Sequence, residues 1–180
     1  MSVFVSEMFP IGTNYWRDVI IGDPAWDPST LDLDADVLRA IVDEPAGMAA
    51  VDPDISEFVE RGGKLLLAHG WLDGMISPQN TIDYYEEVLA TVGRKHAKDS
   101  VRLFLSPGVN HCGGGEGPSD VDYLATIDAW VEEGIAPERI IASMPLDDGG
   151  ELTRPLCAYP SVGRYKGTGD TNDAANFECN

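Results

Sequence analysis

Residues 64–70 read Lys-Leu-Leu-Leu-Ala-His-Gly, a short apolar run that begins after a Gly-Gly pair. A second apolar run, Val-Arg-Leu-Phe-Leu, occupies residues 101–105. Between them, residues 78–92 carry apolar side chains at helical spacing and are followed by Gly93. Continuous apolar runs of this length are typical of buried parallel strands. The order strand, helix, strand therefore predicts a right-handed crossover and an α/β fold with a parallel sheet covered on both faces.

Two further helices are predicted around this unit. Residues 55–60 place apolar side chains on one face of a short helix before the first strand. After the second strand and a glycine-rich loop, Ser119 or Asp120 is expected to cap a helix that Gly134 ends. The flanking helices would cover the apolar strands.

Length and charge limit the classes of function. The chain has 180 residues, of which 43% are hydrophobic, and its 31 acidic and 12 Lys and Arg residues give a net charge of −19. This composition allows one ordinary globular domain and argues against nucleic acids or anionic membranes as partners. No apolar run approaches the roughly 20 residues that cross a bilayer. Residues 1–7 lack the basic and apolar regions of a signal peptide.

Ionisable side chains follow both predicted strands. Asp73 comes just after the first strand and His111 just after the second. Sites in parallel sheets lie beyond the carboxyl ends of the strands. This order fits the acid and the base of a Ser-Asp-His triad in α/β-hydrolase order, in which the histidine moves a proton and the carboxylate orients it. The alternative, a turn aspartate and an exposed loop histidine, stays open on these residues alone.

Other chemistry at these loops is less well supported. His69 with Gly70 could form an oxyanion turn, but no serine of the chain lies in the Gly-x-Ser-x-Gly motif that this requires. His69 and Asp73 have no third ligand nearby, so no metal site is predicted. Cys112 is a poor nucleophile for His111, because neighbouring side chains in an extended segment point apart.

The three cysteines indicate an oxidising compartment. Cys157 and Cys179 bracket a tail with little hydrophobic periodicity, and a disulfide between them would contribute about 3 kcal/mol. Two free thiols are the alternative. Cys112 is then left over, which indicates a partner outside these residues. Because residues 1–7 show no signal peptide, one resolution is that the chain is incomplete at its N-terminal end.

Several stretches together resemble the tannase/feruloyl esterase family. They are residues 62–73 (Gly-Gly-Lys-Leu-Leu-Leu-Ala-His-Gly-Trp-Leu-Asp), 76–81, 84–85, 107–115 (Pro-Gly-Val-Asn-His-Cys-Gly-Gly-Gly), 130–137, 154–160, 165–170 and 172–177. The resemblance covers about residues 50–179. It implies that residues 46–180 are the C-terminal part of an α/β-hydrolase catalytic domain with an incomplete sheet. Residues 1–45, which are rich in turns with one short acidic helix near residues 34–42, resemble the tail of the family's lid domain.

The resemblance also implies a function and a set of site residues. The family consists of secreted serine esterases that act on aromatic esters such as gallates and ferulates. Asp73 matches the family's acid and His111 its base. Cys112 matches a cysteine that is bridged to the cysteine beside the nucleophilic serine, and Cys157 and Cys179 match a second bridge. No cofactor is implied here, because the family's calcium site and most of its lid lie upstream.

The family's Cys-Ser nucleophile motif does not occur in these 180 residues. We therefore expect Met1 to be an internal methionine of a truncated chain, and the chain alone to be inactive. Two alternatives are a non-catalytic remnant that acts as a binding domain and one half of a split esterase joined to a serine-bearing chain through Cys112. Trp71 is a candidate for lining the pocket of a small aromatic ester, or else packs behind the acid loop.

Overall fold

The computed structural model describes residues 10–43, 49–111 and 113–180. The chain divides into two compact units, Met1–Val51 and Asp52–Asn180. The boundary predicted between residues 45 and 46 lies outside the described residues.

The described part of the first unit is largely helical, whereas the sequence predicted mainly loops. It contains α1 (Pro10–Asn14), a π-helical segment (Tyr15–Ile21), a 3-10 turn (Pro28–Thr30) and α2 (Ala35–Asp43). Only α2 was expected. Pro10 and Pro28 stand at the first positions of helical segments and Gly22 follows the end of one, where these residue types are favourable. Because proline and glycine are also typical of loops, the sequence pattern did not indicate these short helices.

The second unit is built on the predicted parallel strand pair. β1 (Leu65–Gly70) and β2 (Val101–Ser106) pair in parallel, with Leu65 opposite Val101 and Gly70 opposite Ser106. The flanking helices are α3 (Ser56–Glu60), α4 (Pro78–Val92) and α5 (Arg94–Ala97). Ser77 caps α4 by accepting a hydrogen bond from the Gln79 amide at 3.3 Å. The strand–helix–strand prediction is therefore confirmed.

A first hydrophobic core joins α4 to the strands. The buried face of α4 packs on one face of β2. This core includes Ile82, Tyr85, Val88 and Leu89 of α4 and Val101 and Leu103 of β2. This face repeats at helical spacing on α4 and alternates along β2, as the two elements require. Burial of each such side chain contributes about 1.5–3 kcal/mol, which fixes α4 against the strands.

The third predicted helix begins later than expected. α6 spans Tyr123–Glu133, and Asp122 caps it by accepting a hydrogen bond from the Ala125 amide at 2.8 Å. Asp120 instead exchanges two backbone hydrogen bonds with Ser143. The predicted cap at Ser119 or Asp120 was wrong, because Asp120 is held in this bridge. Gly134 ends the helix in the left-handed region, as predicted.

The C-terminal part forms antiparallel strand pairs that the sequence did not predict. β3 (Arg139–Pro145) pairs with β4 (Glu151–Cys157), and β5 (Gly163–Tyr165) pairs with β6 (Phe177–Cys179). β5 and β6 are only three residues each, and β4 contains a proline, so their periodicity is weak. A second core of Phe104, Ile140, Ala142, Leu156 and Ala158 packs this part against β2. With α4 on its other face, β2 is covered on both sides.

Candidate active site

Two loops meet beyond the carboxyl ends of the parallel strands. The acid loop, residues 71–77, follows β1 and contains Asp73. The histidine loop begins at residue 107 after β2 and contains His111, so both loops emerge at one edge of the sheet. Backbone hydrogen bonds join them, from Trp71 N–H to Ser106 C=O and from Leu72 N–H to Val109 C=O, both at 2.9 Å. The two loops therefore hold each other in place.

These loops bring Asp73 and His111 into contact. The Nδ1 of His111 lies 2.7 Å from the Oδ2 of Asp73. The Asp73 side chain is 3% exposed, whereas that of His111 is 38% exposed. The other carboxylate oxygen accepts hydrogen bonds from the Met75 amide at 2.8 Å and the Ile76 amide at 2.9 Å. The acid is thus enclosed and fixed, while the imidazole is open on one side.

The hydrogen bonds keep Asp73 ionised. Burial acts to raise the pKa of this carboxyl, but the Ile76 amide, the His111 side chain and the Met75 amide together outweigh it and hold the pKa well below its usual range. At neutral pH Asp73 is an anion in hydrogen-bond contact with an imidazole. Such a carboxylate orients the ring and stabilises the imidazolium that forms when the ring takes up a proton.

After His111, the glycine-rich segment folds back in a tight turn. Val109 pairs with Gly115, and the Asn110 amide donates to the Gly114 carbonyl at 3.0 Å. Gly115 has a φ of +100°, and a Cβ there would collide with the Gly108 carbonyl oxygen. The segment therefore needs glycine to fold back on itself.

The cavity beside Asp73 and His111 has a volume of about 260 Å³. Ser106 and Ser119 also line it. Within residues 10–43, 49–111 and 113–180, no serine hydroxyl is hydrogen-bonded to the free ring nitrogen of His111. In that part of the chain, no three side chains of His, Cys, Asp or Glu converge as metal ligands.

A further histidine, which the sequence analysis set aside, contacts the same carboxylate. The Nε2 of His69 lies 3.2 Å from Asp73 Oδ2 and 3.2 Å from the Ile76 carbonyl oxygen. Its Nδ1 lies 2.7 Å from the Thr81 hydroxyl. In the sequence, the spacing of His69 and Asp73 suggests only a metal pair, for which a third ligand is lacking. Their position at the end of one strand is the signal that could have identified this contact.

Trp71 faces a different cavity from Asp73 and His111. Its side chain is half-exposed, and it lines a cavity of about 180 Å³ together with Leu105, Tyr159 and Pro160. The cavity that holds Asp73 and His111 is lined by other residues. A role for Trp71 in substrate binding stays a prediction.

The C-terminal cysteines are joined. Cys157 and Cys179 form a disulfide with a Cα–Cα distance of 5.7 Å, which ties β6 to the end of β4. Cys112, the candidate for a bridge to a cysteine outside these residues, lies outside the described part of the chain. No helix in the described ranges has the length and apolar character needed to cross a bilayer.

Comparison with known proteins gives consistent matches. The family model described as tannase and feruloyl esterase matches residues 8–180. Mono(2-hydroxyethyl) terephthalate hydrolase of Piscinibacter sakaiensis is 47% identical over 133 residues, which are 72% of this chain and 22% of that protein. A probable feruloyl esterase of Arthroderma benhamiae is 40% identical and covers 95% of this chain and 33% of its own length.

Solved structures agree with these relatives. The crystal structure of an esterase from Aspergillus oryzae superposes with a TM-score of 0.84 at 31% identity, over 95% of this chain and 38% of that one. Feruloyl esterase B from Aspergillus oryzae gives a TM-score of 0.83 at 28% identity. The fold is thus part of an α/β-hydrolase domain. The chain spans between about a fifth and two fifths of the length of these relatives.

Proposed function

This chain belongs to the tannase and feruloyl esterase family, and we propose that it supplies the acid and the base of a serine carboxylic ester hydrolase. The observation that carries the proposal is the 2.7 Å contact between His111 Nδ1 and the buried carboxylate of Asp73. In the proposed triad Asp73 is the acid and His111 is the base. The half-exposed imidazole leaves its other nitrogen available to a reacting hydroxyl.

The geometry supports a two-step mechanism. Since Nδ1–H of His111 donates to Asp73, the lone pair of the neutral ring is on Nε2. That nitrogen takes the proton of a serine hydroxyl as the serine oxygen attacks the ester carbonyl, and then returns it to the departing alcohol oxygen. A water molecule, deprotonated by the same nitrogen, then attacks the acyl carbon; the bond between that carbon and the serine oxygen breaks, and the imidazolium returns the proton to the serine oxygen as the carboxylic acid is released. Asp73 stabilises the imidazolium in both steps.

The nucleophilic serine is proposed to come from outside these 180 residues. The chain has no Cys-Ser pair and no Gly-x-Ser-x-Gly motif. It corresponds to only a part of each relative, so a serine-bearing segment of the same polypeptide, or a separate serine-bearing chain joined through Cys112, would complete the triad. The 180-residue chain alone is then inactive, because loss of the nucleophile leaves little of the catalysed rate.

The substrate class is proposed from the relatives. Feruloyl esterase and mono(2-hydroxyethyl) terephthalate hydrolase are named for esters of aromatic carboxylic acids. We accordingly propose an aromatic acyl group for the complete enzyme, as in ferulates or gallates. We also propose that the protein is secreted, because it contains the Cys157–Cys179 disulfide and such bonds persist in oxidising compartments.

The first experiment assays the purified 180-residue chain with methyl ferulate and methyl gallate. We expect no hydrolysis above that of its His111→Ala variant, because no serine hydroxyl in the described ranges is hydrogen-bonded to His111 and no serine of the chain lies in a nucleophile motif. Hydrolysis by the wild-type chain that His111→Ala abolishes would contradict the proposed location of the nucleophile.

A chimera tests whether the acid and base are functional. It is the Piscinibacter sakaiensis hydrolase in which the 133 matched residues are replaced by the matched residues of this chain. We expect hydrolysis of the hydrolase's own ester, and a loss of about 10⁴-fold in kcat with Asp73→Asn, as for a triad that loses its orienting carboxylate. A folded chimera whose hydrolysis is unaffected by Asp73→Asn would contradict the proposal.

A further inference from the structure

The carboxylate of Asp73 is surrounded by four nitrogen atoms. Two backbone amides, those of Met75 and Ile76, contact Oδ1. Two imidazole rings, those of His111 and His69, contact Oδ2 at 2.7 and 3.2 Å. The proposed triad accounts for only one of the two rings.

The surroundings of His69 determine where its ring carries a hydrogen. Its side chain is 12% exposed. Nε2 lies 3.2 Å from a carboxylate oxygen of Asp73 and 3.2 Å from the carbonyl oxygen of Ile76. Neither oxygen can donate, since the carbonyl has no hydrogen and the carboxylate is ionised at neutral pH. Nε2 must therefore be the donor.

The other ring nitrogen of His69, Nδ1, contacts a hydroxyl group that can either donate or accept a hydrogen bond. Nδ1 of His69 lies 2.7 Å from the Thr81 hydroxyl, which can donate to a neutral ring or accept from a protonated one. Thr81 belongs to the first turns of α4, whereas His69 lies in β1. The ring is thus anchored to α4 on one side and to the acid loop on the other.

On this basis, and resting on the proposed function, we infer that His69 is a positioning residue for the triad: its Nε2–H holds the Asp73 carboxylate in the orientation that His111 requires. The amides of Met75 and Ile76 fix Oδ1, and Nε2–H of His69, whose Nδ1 contacts Thr81 of α4, fixes Oδ2. His69 lines the same cavity as Asp73 and His111, but its ring contacts Asp73, Ile76 and Thr81 and not His111. It acts through Asp73.

The hydrogen on His69 can be observed directly, without any ester hydrolysis. The chain has three histidines, so ¹⁵N-histidine labelling gives three ring systems in a two-bond ¹H–¹⁵N NMR spectrum. We expect one ring fixed with the hydrogen on Nε2, lost in His69→Leu, and another fixed with the hydrogen on Nδ1, lost in His111→Ala. His96, which is exposed, should show exchange between the two forms.

Either of two spectra would overturn the inference. If His69 carries its hydrogen on Nδ1, or exchanges between both forms while His111 is fixed, then Nε2 does not hold Asp73. If His111 is not fixed with its hydrogen on Nδ1, the contact on which the positioning role depends is absent. Both results are independent of whether the complete enzyme hydrolyses an ester.

Kinetics of the chimera test the consequence of this contact. His69→Leu, which keeps the bulk of the ring but removes the donor, should lower kcat by about 10–100-fold with little change in KM, since a misplaced catalytic group costs rate more than binding. His69→Gln, whose side-chain amide can donate from a similar position, should recover most of the rate. His96→Leu is the matched control and should leave kcat unchanged.

The outcomes separate the two proposals. Wild-type kcat in the His69→Leu chimera, or equal losses in the Leu and Gln variants, overturns the positioning role while the triad stands. Failure of a folded chimera with His69 intact to hydrolyse any ester contradicts the proposed function, and the NMR result then decides the state of His69 alone.

Discussion

Asp73 combines near-complete burial with a low pKa. Burial works against the charge, and the amides of Ile76 and Met75 and the side chain of His111 more than compensate for it. The carboxyl is therefore ionised in the folded protein at a pH where the unfolded chain, with a pKa near 4, takes up a proton. A carboxyl of this kind stabilises the fold above about pH 4, and the contribution is lost as the pH falls towards the lower folded pKa.

Asp73→Asn should for this reason destabilise the chain in a pH-dependent way. We expect the loss in free energy of unfolding to be largest near pH 7 and to become smaller as the pH falls below about 4. Urea denaturation at pH 7 and pH 3 measures it. Asp128→Asn, at an exposed position on α6, is the matched control and should have little effect at either pH. Equal losses for Asp73→Asn at both pH values would contradict this account of the carboxyl.

Gly70 controls the distance between the two loops. A Cβ at this position would lie 2.6 Å from the Val109 carbonyl oxygen and closer still to that of Asn110. Gly70→Ala should therefore push the histidine loop away from the acid loop, lowering the free energy of unfolding by about 1–3 kcal/mol and the hydrolysis rate of the chimera. Gly74→Ala, where a Cβ meets no atom within 4 Å, is the control. A Gly70→Ala variant as stable and active as Gly74→Ala would show that the close approach is not needed.

The sequence predicted that Asp73 and His111 meet, but it did not predict the contact of His69 with Asp73. Asp73 and His111 could be predicted to meet because each follows a parallel strand, and parallel strands end at one edge of the sheet. The contact of His69 with Asp73 depends on how the turn after β1 closes. That turn has no periodic pattern, so the sequence did not distinguish this pair from a metal site without a third ligand.

At the scale of elements, β2 is the strand that both hydrophobic cores share. Arg102 lies in this strand with a side chain 7% exposed, contacts the Pro137 carbonyl at 3.2 Å and lies 5.5 Å from the Trp130 ring centroid. Arg102→Ala should lower the free energy of unfolding by about 2–4 kcal/mol, since it exposes the indole and leaves backbone carbonyls without donors.

The ion pair of Arg102 with Glu138 contributes less to the free energy of unfolding than the packing of Arg102 on Trp130. Glu138 is 74% exposed, so Glu138→Gln should cost below about 1 kcal/mol. Comparing the two variants by urea denaturation separates packing from charge. Equal effects would mean that the ion pair, and not the packing on Trp130, is what Arg102 provides.

The disulfide ties down the pair of three-residue strands, β5 and β6. β5 and β6 have three residues each, and Cys179 in β6 is bonded to Cys157 at the end of β4. Cys179→Ala should cost about 3 kcal/mol by freeing this tail. A reductant should destabilise the wild-type chain by a similar amount and leave the variant unchanged. Further destabilisation of the variant by reductant would show that another disulfide matters.

The elements differ in how well the sequence predicts them. β1, α4 and β2 were predicted because long apolar patterns of distinct period define them. The pairs β3–β4 and β5–β6 were missed, since their strands are short, half-polar or interrupted by Pro155. The predicted cap of α6 was wrong because Ser119, Asp120 and Asp122 can all cap a helix and stand close together. The backbone bridge between Asp120 and Ser143, which delays the start of the helix, has no signal in the sequence.

At the scale of the whole molecule, the chain corresponds to a part of each relative that it matches. That part carries two proposed triad members on adjacent loops and no serine in a nucleophile motif. The proposed function therefore requires that His111 of this chain activates a serine located outside these 180 residues. The resemblance read from the sequence and the comparisons agree on the family, while the position of the serine rests on the proposal.

The rate at which a fluorophosphonate labels the chimera tests this requirement most directly, because such a reagent reports an activated serine hydroxyl. We predict rapid labelling of a serine in the part contributed by the Piscinibacter sakaiensis hydrolase, and labelling at least about 100-fold slower in the His111→Ala chimera, since a general base contributes about 10²–10⁴-fold. Equally fast labelling in the His111→Ala chimera, or a labelled serine within the residues of this chain, would contradict the central claim.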